Sequence, residues 1–185
     1  MRATVPPRLA DLPVDLSAAD ARATERAIAA VARVRDRLPE SWEPLARLLL
    51  RSEGVASSAV EQIRAPLAEV AAAELTPLSG PSAWVADNLA VVSDAVSAPR
   101  TGPLTVAAIL AWHTRLMAHV AGGDPASPIG AWRDGLVWVG GNSPLDAAFV
   151  GPPAGLVGDL MDDLVRFAND DALDPVTHAA ILHAQ

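Results

Sequence analysis

Residues 136–153 read LVWVGGNSPLDAAFVGPP, and the fold turns on how that stretch is taken. Val137, Trp138 and Val139 are strand formers, Gly140-Gly141-Asn142-Ser143-Pro144 is turn chemistry, and Ala147 to Val150 can return as a second short strand. The pattern predicts a β-hairpin over about 133–150. Elsewhere apolar residues recur at helical intervals, so the hairpin stands in an otherwise all-α chain. A lone two-stranded hairpin is marginal in water unless it packs on something or receives a partner strand. The alternative is a loop covering the core, with Trp138 as its plug.

Downstream of Pro152 and Pro153, Leu156, Leu160, Leu164 and Phe167 form an apolar stripe. Asp159, Asp162 and Asp163 fall largely to the other side and read as a solvated acidic face. Pro175 opens a last helix in which Ala179, Ala180 and Leu182 want burial. It reaches Gln185 without a closing Gly, Asn or basic residue, which suggests a cut.

Upstream, Val106, Ile109, Leu110, His113, Leu116, Met117 and Val120 predict a core helix, with His113 a packed histidine. His113 and His119 are six apart and His178 and His183 five apart, so neither pair shares a helix face and no metal site is expected. Residues 82–98 predict another helix, with Trp84, Asn88, Val91, Val92, Ala95 and Val96 turned inward and Asn88 a hydrogen-bonded structural amide. Pro66 starts a short helix that the loop TPLSGP at 76–81 ends. Ser17 with Asp20 is a capping-box-like start, and Ile28, Val31, Val34 and Leu38 carry the first helix to Pro39. Pro6, Pro7 and Pro13, with Leu9 and Leu12, make residues 1–16 an extended arm laid over a surface. Residues 17–185 read as a single helical domain, divided at about residue 80.

Composition narrows the function. A net charge of −8 and a pI near 4.8 argue against binding phosphate backbones, which needs clustered Lys and Arg. The absence of cysteine removes disulfides, thiolate metal sites and cysteine nucleophiles. No apolar run approaches the ~20 residues that span a bilayer, and the amino terminus has no long apolar core, so a cytoplasmic protein is expected. Nothing requires an assembly, and a homo-oligomer stays open.

One more stretch resists explanation by packing alone: residues 48–66, LLLRSEGVASSAVEQIRAP. As a helix, Leu49, Glu53, Ala56, Val60 and Ile63 recur at three to four, and Ser57 and Glu61 lie i,i+4 on one stripe. Gly54 inside it costs about 1 kcal/mol against Ala, which points to a close neighbour or a boundary. From pattern alone, Glu61 is a surface carboxylate on a mostly apolar helix.

SSAVEQIRAP resembles the inhibitory-helix segment of the Fic/Doc superfamily, whose pattern is [S/T]-x-x-x-E-[G/N]. Ser57 and Glu61 match it, and Gln62 departs from its small last residue. Arg133-x-x-x-Val137-Trp138-Val139-Gly140 is similar to the family's R-x-x-x-V-W-I-G at the start of its flap. Ala148-Phe149-Val150 with Pro152-Pro153 resembles the flap exit, and Leu160-Met161-x-Asp163-Leu164-x-x-Phe167 the helix that follows. His183-Ala184-Gln185 looks like the start of the helix leading to H-P-F-x-[DE]-G-N-G-R-x-x-R. That motif, which carries the catalytic base, the Mg²⁺-holding acid and the phosphate loop, is not in these 185 residues.

The resemblance implies a Fic-like bundle truncated before its catalytic loop, from an enzyme that transfers AMP from ATP, with Mg²⁺, to a protein hydroxyl. It implies that Ser57 and Glu61 are regulatory, Glu61 pairing with a motif Arg where the γ-phosphate would sit. The edge of Val137, Trp138, Val139 and Gly140 would receive the target protein as an added strand. The chain itself would carry no catalytic residue and would bind neither ATP nor Mg²⁺ tightly. The competing reading is a non-catalytic Fic-like module that binds strands or supplies its Ser57–Glu61 helix to a partner, as antitoxin chains do.

Overall fold

The computed structural model describes residues 2–60, 62–76, 79–97, 102–118 and 128–185. Glu61, His119 and Val120 lie outside the described residues. Seven helices and a two-stranded antiparallel sheet form among the described residues, so the protein is mostly helical with one small hairpin. No helix among them is long and apolar enough to cross a membrane. Their contacts divide into two compact units: Met1–Asp36, Leu104–Leu110 and Gly122–Gln185 in one, Arg37–Pro103 and Ala111–Ala121 in the other.

In the first unit the chain runs from an arm without helix or strand into α1 (Ala18–Arg35). The Ser17 hydroxyl accepts the Asp20 amide and donates to the Asp20 carboxylate, so the cap is reciprocal. The helix ends at Arg35, before Pro39 is reached. α6 (Ala154–Ala168) and α7 (Pro175–Ala184) follow the hairpin, and Asp174 caps α7 by accepting the amides of Val176 and Thr177. The bonds from Thr177 first, and then from Val176, hold the Asp174 carboxyl below the usual carboxylate range. α1 and α6 both pack on α7, and Phe167 is buried with its ring edge-on to His178 at 4.8 Å. Ala179 and Ala180, expected inside, are exposed, and Leu182 is half-buried.

The second unit holds α2 (Glu43–Val60), α3 (Leu67–Ala73) and α4 (Pro81–Ser97), each packed on the other two. Pro44 sits in the first turn of α2, where a missing N–H costs nothing. Ala65, Val70, Val85, Ala86 and Leu89 form the core, with Val55, Ile63 and Ala73 against it.

One inward face, that of α4, differs in part from the one read off the sequence, and the packed side of α2 is one the sequence left open. On α2, Gly54, Val55 and Ser58 pack inward, while Leu49 is 62% and Val60 80% exposed. On α4, Ser82, Val85, Ala86 and Leu89 are buried and so is Val91, as expected, while Trp84, Val92 and Val96 are exposed and Asn88 is half-buried. Apolar residues lie nearly all round α4, so spacing alone did not select its packed side; on α2 the apolar side that carries Leu45, Leu48, Leu49 and Leu50 is left exposed. Gly54 has the close neighbour its position called for: a Cβ there would stand 2.5 Å from Leu89 Cδ2. α5 (Val106–Leu116), expected as core, has no fully buried residue.

Candidate functional site

The hairpin pairs β1 (Trp138–Val139) with β2 (Phe149–Val150), Trp138 opposite Val150 and Val139 opposite Phe149. Strands of two residues cannot hold themselves, and the ties lie outside the ladder. The Arg133 guanidinium donates to the Gly135 carbonyl at 2.5 Å and to the Pro152 carbonyl at 2.6 Å, joining the two roots. Gly151 N–H donates to Val137 O, and a Cβ on Gly151 would meet Val137 at 2.9 Å.

At the far end Gly140 and Gly141 take φ near +70°, the left-handed region where a side chain is costly. Asp146 closes the loop. Its carboxylate accepts from Ser143 Oγ at 2.5 Å and from the amides of Ser143 and Asn142. The Ser143 hydroxyl first, and the Asn142 amide next, hold the Asp146 carboxyl below the usual carboxylate range. Sequence reasoning passed over Asp146, although Ser143-x-x-Asp146 has the spacing of a capping box.

The carbonyls of Val137 and Val139 bond toward the second strand, to Gly151 N–H and Ala148 N–H. Alternation along an antiparallel strand therefore turns the Trp138 N–H and C=O to the outer edge. Trp138 is 42% exposed and is not a plug in a core, and Val137, Val139 and Phe149 are exposed as well. Of the expected docking residues, Val137, Trp138, Val139 and Gly140 thus share one exposed strand end.

Ser57 lies in the second unit, exposed near the end of α2, and its buried neighbour is Ser58. The helix is closed by two bonds: Ile63 N–H donates to Ser58 O at 3.0 Å, and Gln62 N–H to Ala59 O at 3.1 Å. That is a Schellman closure, and it puts Gln62 at φ 66°, where Gly or Asn is the unstrained choice. Glu61, between them in sequence, is outside the described residues.

Beside α2 an open groove of about 430 Å³ is lined by Glu43, Arg47, Leu50, Arg51, Glu74 and Leu89 among others. Arg51 makes a two-pronged ion pair with Glu74, 2.6 Å at each prong, and Arg47 pairs with Glu43 at 2.6 Å. The Arg51 bonds hold the Glu74 carboxyl below its usual range against partial burial. Both guanidiniums are thus engaged by carboxylates. Among the described residues no group of three His, Asp or Glu side chains is placed to hold a metal ion.

No protein-family model matches the chain, and no curated protein matches it.

Proposed function

We propose that these residues are the regulatory and target-docking part of a Fic-type protein AMP-transferase, which passes AMP from ATP to a protein hydroxyl. The observation that carries the reading is the braced hairpin whose outer main-chain edge at Trp138 is turned toward a prospective partner strand. A strand added there is aligned by main-chain hydrogen bonds, which fixes the depth of its hydroxyl while tolerating many sequences. A second support is the left-handed Gln62, at the place where the inhibitory-helix pattern takes Gly or Asn.

In this reading Glu61, one residue before that turn, is the inhibitory carboxylate, and it competes with the γ-phosphate of ATP for an arginine. The nucleotide and Mg²⁺ belong to the glycine-rich motif, which these 185 residues do not contain. The chain alone therefore docks and regulates without transferring AMP, and its setting is cytoplasmic.

The test is transfer of label from α-labelled ATP with Mg²⁺ by a protein that carries these residues together with the glycine-rich motif. Glu61→Gly is expected to raise transfer on the order of tenfold or more, and Trp138→Pro, which removes an edge donor, to lower it. Equal transfer by parent and Glu61→Gly, or none by either, overturns the proposal. In the latter case strand binding without catalysis is the function the same edge supports.

A further inference from the structure

The two edges of the hairpin are not alike. The β1 edge carries the outward Trp138 amide and carbonyl, whereas on β2 the Thr4 N–H donates to Val150 O at 2.8 Å. Val150 is buried, and the amino-terminal arm meets the strand at this bond.

Five residues further on, Leu9 is 3% exposed, and its amide donates to Asp163 Oδ2 of α6 at 2.5 Å. The other oxygen of Asp163 accepts from Arg166 at 2.6 Å. This carboxylate, expected on a solvated acidic face with Asp159 and Asp162, is 1% exposed, with both oxygens bonded. Leu12 N–H bonds back to Leu9 O and turns the chain at the anchor. Pro6 and Pro7 lie between the two attachment points. They have fixed φ and no N–H, so the link is stiff and the strand contact and the anchor move together.

We propose that residues 2–12 are a strap that holds the hairpin in its ordered form, with Leu9 and Asp163 as the latch. While the latch is closed, the β2 edge is engaged at Val150 and the Trp138 edge is the one open to another strand. With the latch open, the hairpin loses that bond and presents two bare edges, a state of marginal order. Whatever displaces the arm thus alters the docking edge from the opposite side of the hairpin. The inference stands on the arm's own contacts and does not rest on AMP transfer.

Hydrogen exchange read by mass spectrometry on the full chain tests it. In Asp163→Ala, amides of 137–151 are expected to exchange on the order of tenfold faster, with 81–97 unchanged. Thr4→Pro, at an exposed site, removes only the strand bond and is expected to speed the same amides severalfold. An arm that exchanges freely in Asp163→Ala beside a hairpin within twofold of the parent overturns the strap, and so does a hairpin indifferent to Thr4→Pro. If Asp163→Ala unfolds the whole chain, so that 81–97 exchange too, Thr4→Pro alone decides.

Discussion

Around Val70 and Val85, which are 0% and 1% exposed, three helices meet through alanine, valine and leucine side chains. Around the hairpin the strands are two residues long, and the ties are one guanidinium, two carboxylates and main-chain amides. The first arrangement is non-directional and scales with buried area. The second is directional and fails bond by bond. Volume changes should therefore damage the helical unit and leave the hairpin intact, and loss of single polar groups should do the reverse.

The largest effect that can break this contrast is Leu89→Ala, expected to cost about 3 kcal/mol in denaturant unfolding. Leu89 also occupies the space a Cβ on Gly54 needs, so Gly54→Ala is destabilising alone and much less so beside Leu89→Ala. A double-mutant cycle that comes out additive would refute that packing.

Arg133→Ala comes next, at about 1–3 kcal/mol for the two carbonyls it leaves unserved. Its signature is faster exchange in 137–151 with the α2–α4 helices as protected as before, and a uniform loss across both units would erase the distinction. Gln62→Gly is expected to stabilise by about 0.5–1 kcal/mol, because it relieves a left-handed residue at a helix end. A drop in unfolding midpoint would show that the Gln62 side chain matters more than its backbone.

The smallest effect is acid loosening of the hairpin loop. The Asp146 carboxyl is held low, so its contribution is complete above its unfolded pKa of about 4 and is lost as pH falls through the lower folded value. The amides of Asn142 and Ser143 should keep their chemical shifts down to about pH 4 and move only below it. Movement between pH 7 and 5 would refute the assignment.

Where the chemistry is local, the sequence was readable. The Ser17–Asp20 cap, the break between Val139 and Phe149 and the demand of Gly54 for a close neighbour each follow from residues a few positions apart or from one residue's lack of a side chain. The strand edge at Trp138 was legible as β-formers flanking turn residues. What held that edge was not, because Arg133 reaches a carbonyl 19 residues away.

Residue order by itself determined the helical character, the placement of the hairpin and the first helix cap, since these depend on backbone preference and neighbouring groups. Only tertiary structure decided which sides of α2 and α4 face inward: α4 is apolar nearly all round and offers no single stripe for burial to select, and on α2 the leucines at 45 and 48–50 stay exposed while Ser58 is buried. It alone also separated Asp163 from Asp159 and Asp162. The amide that makes burial of that carboxylate tolerable comes from Leu9, 154 residues earlier, and no reading of α6 could supply it.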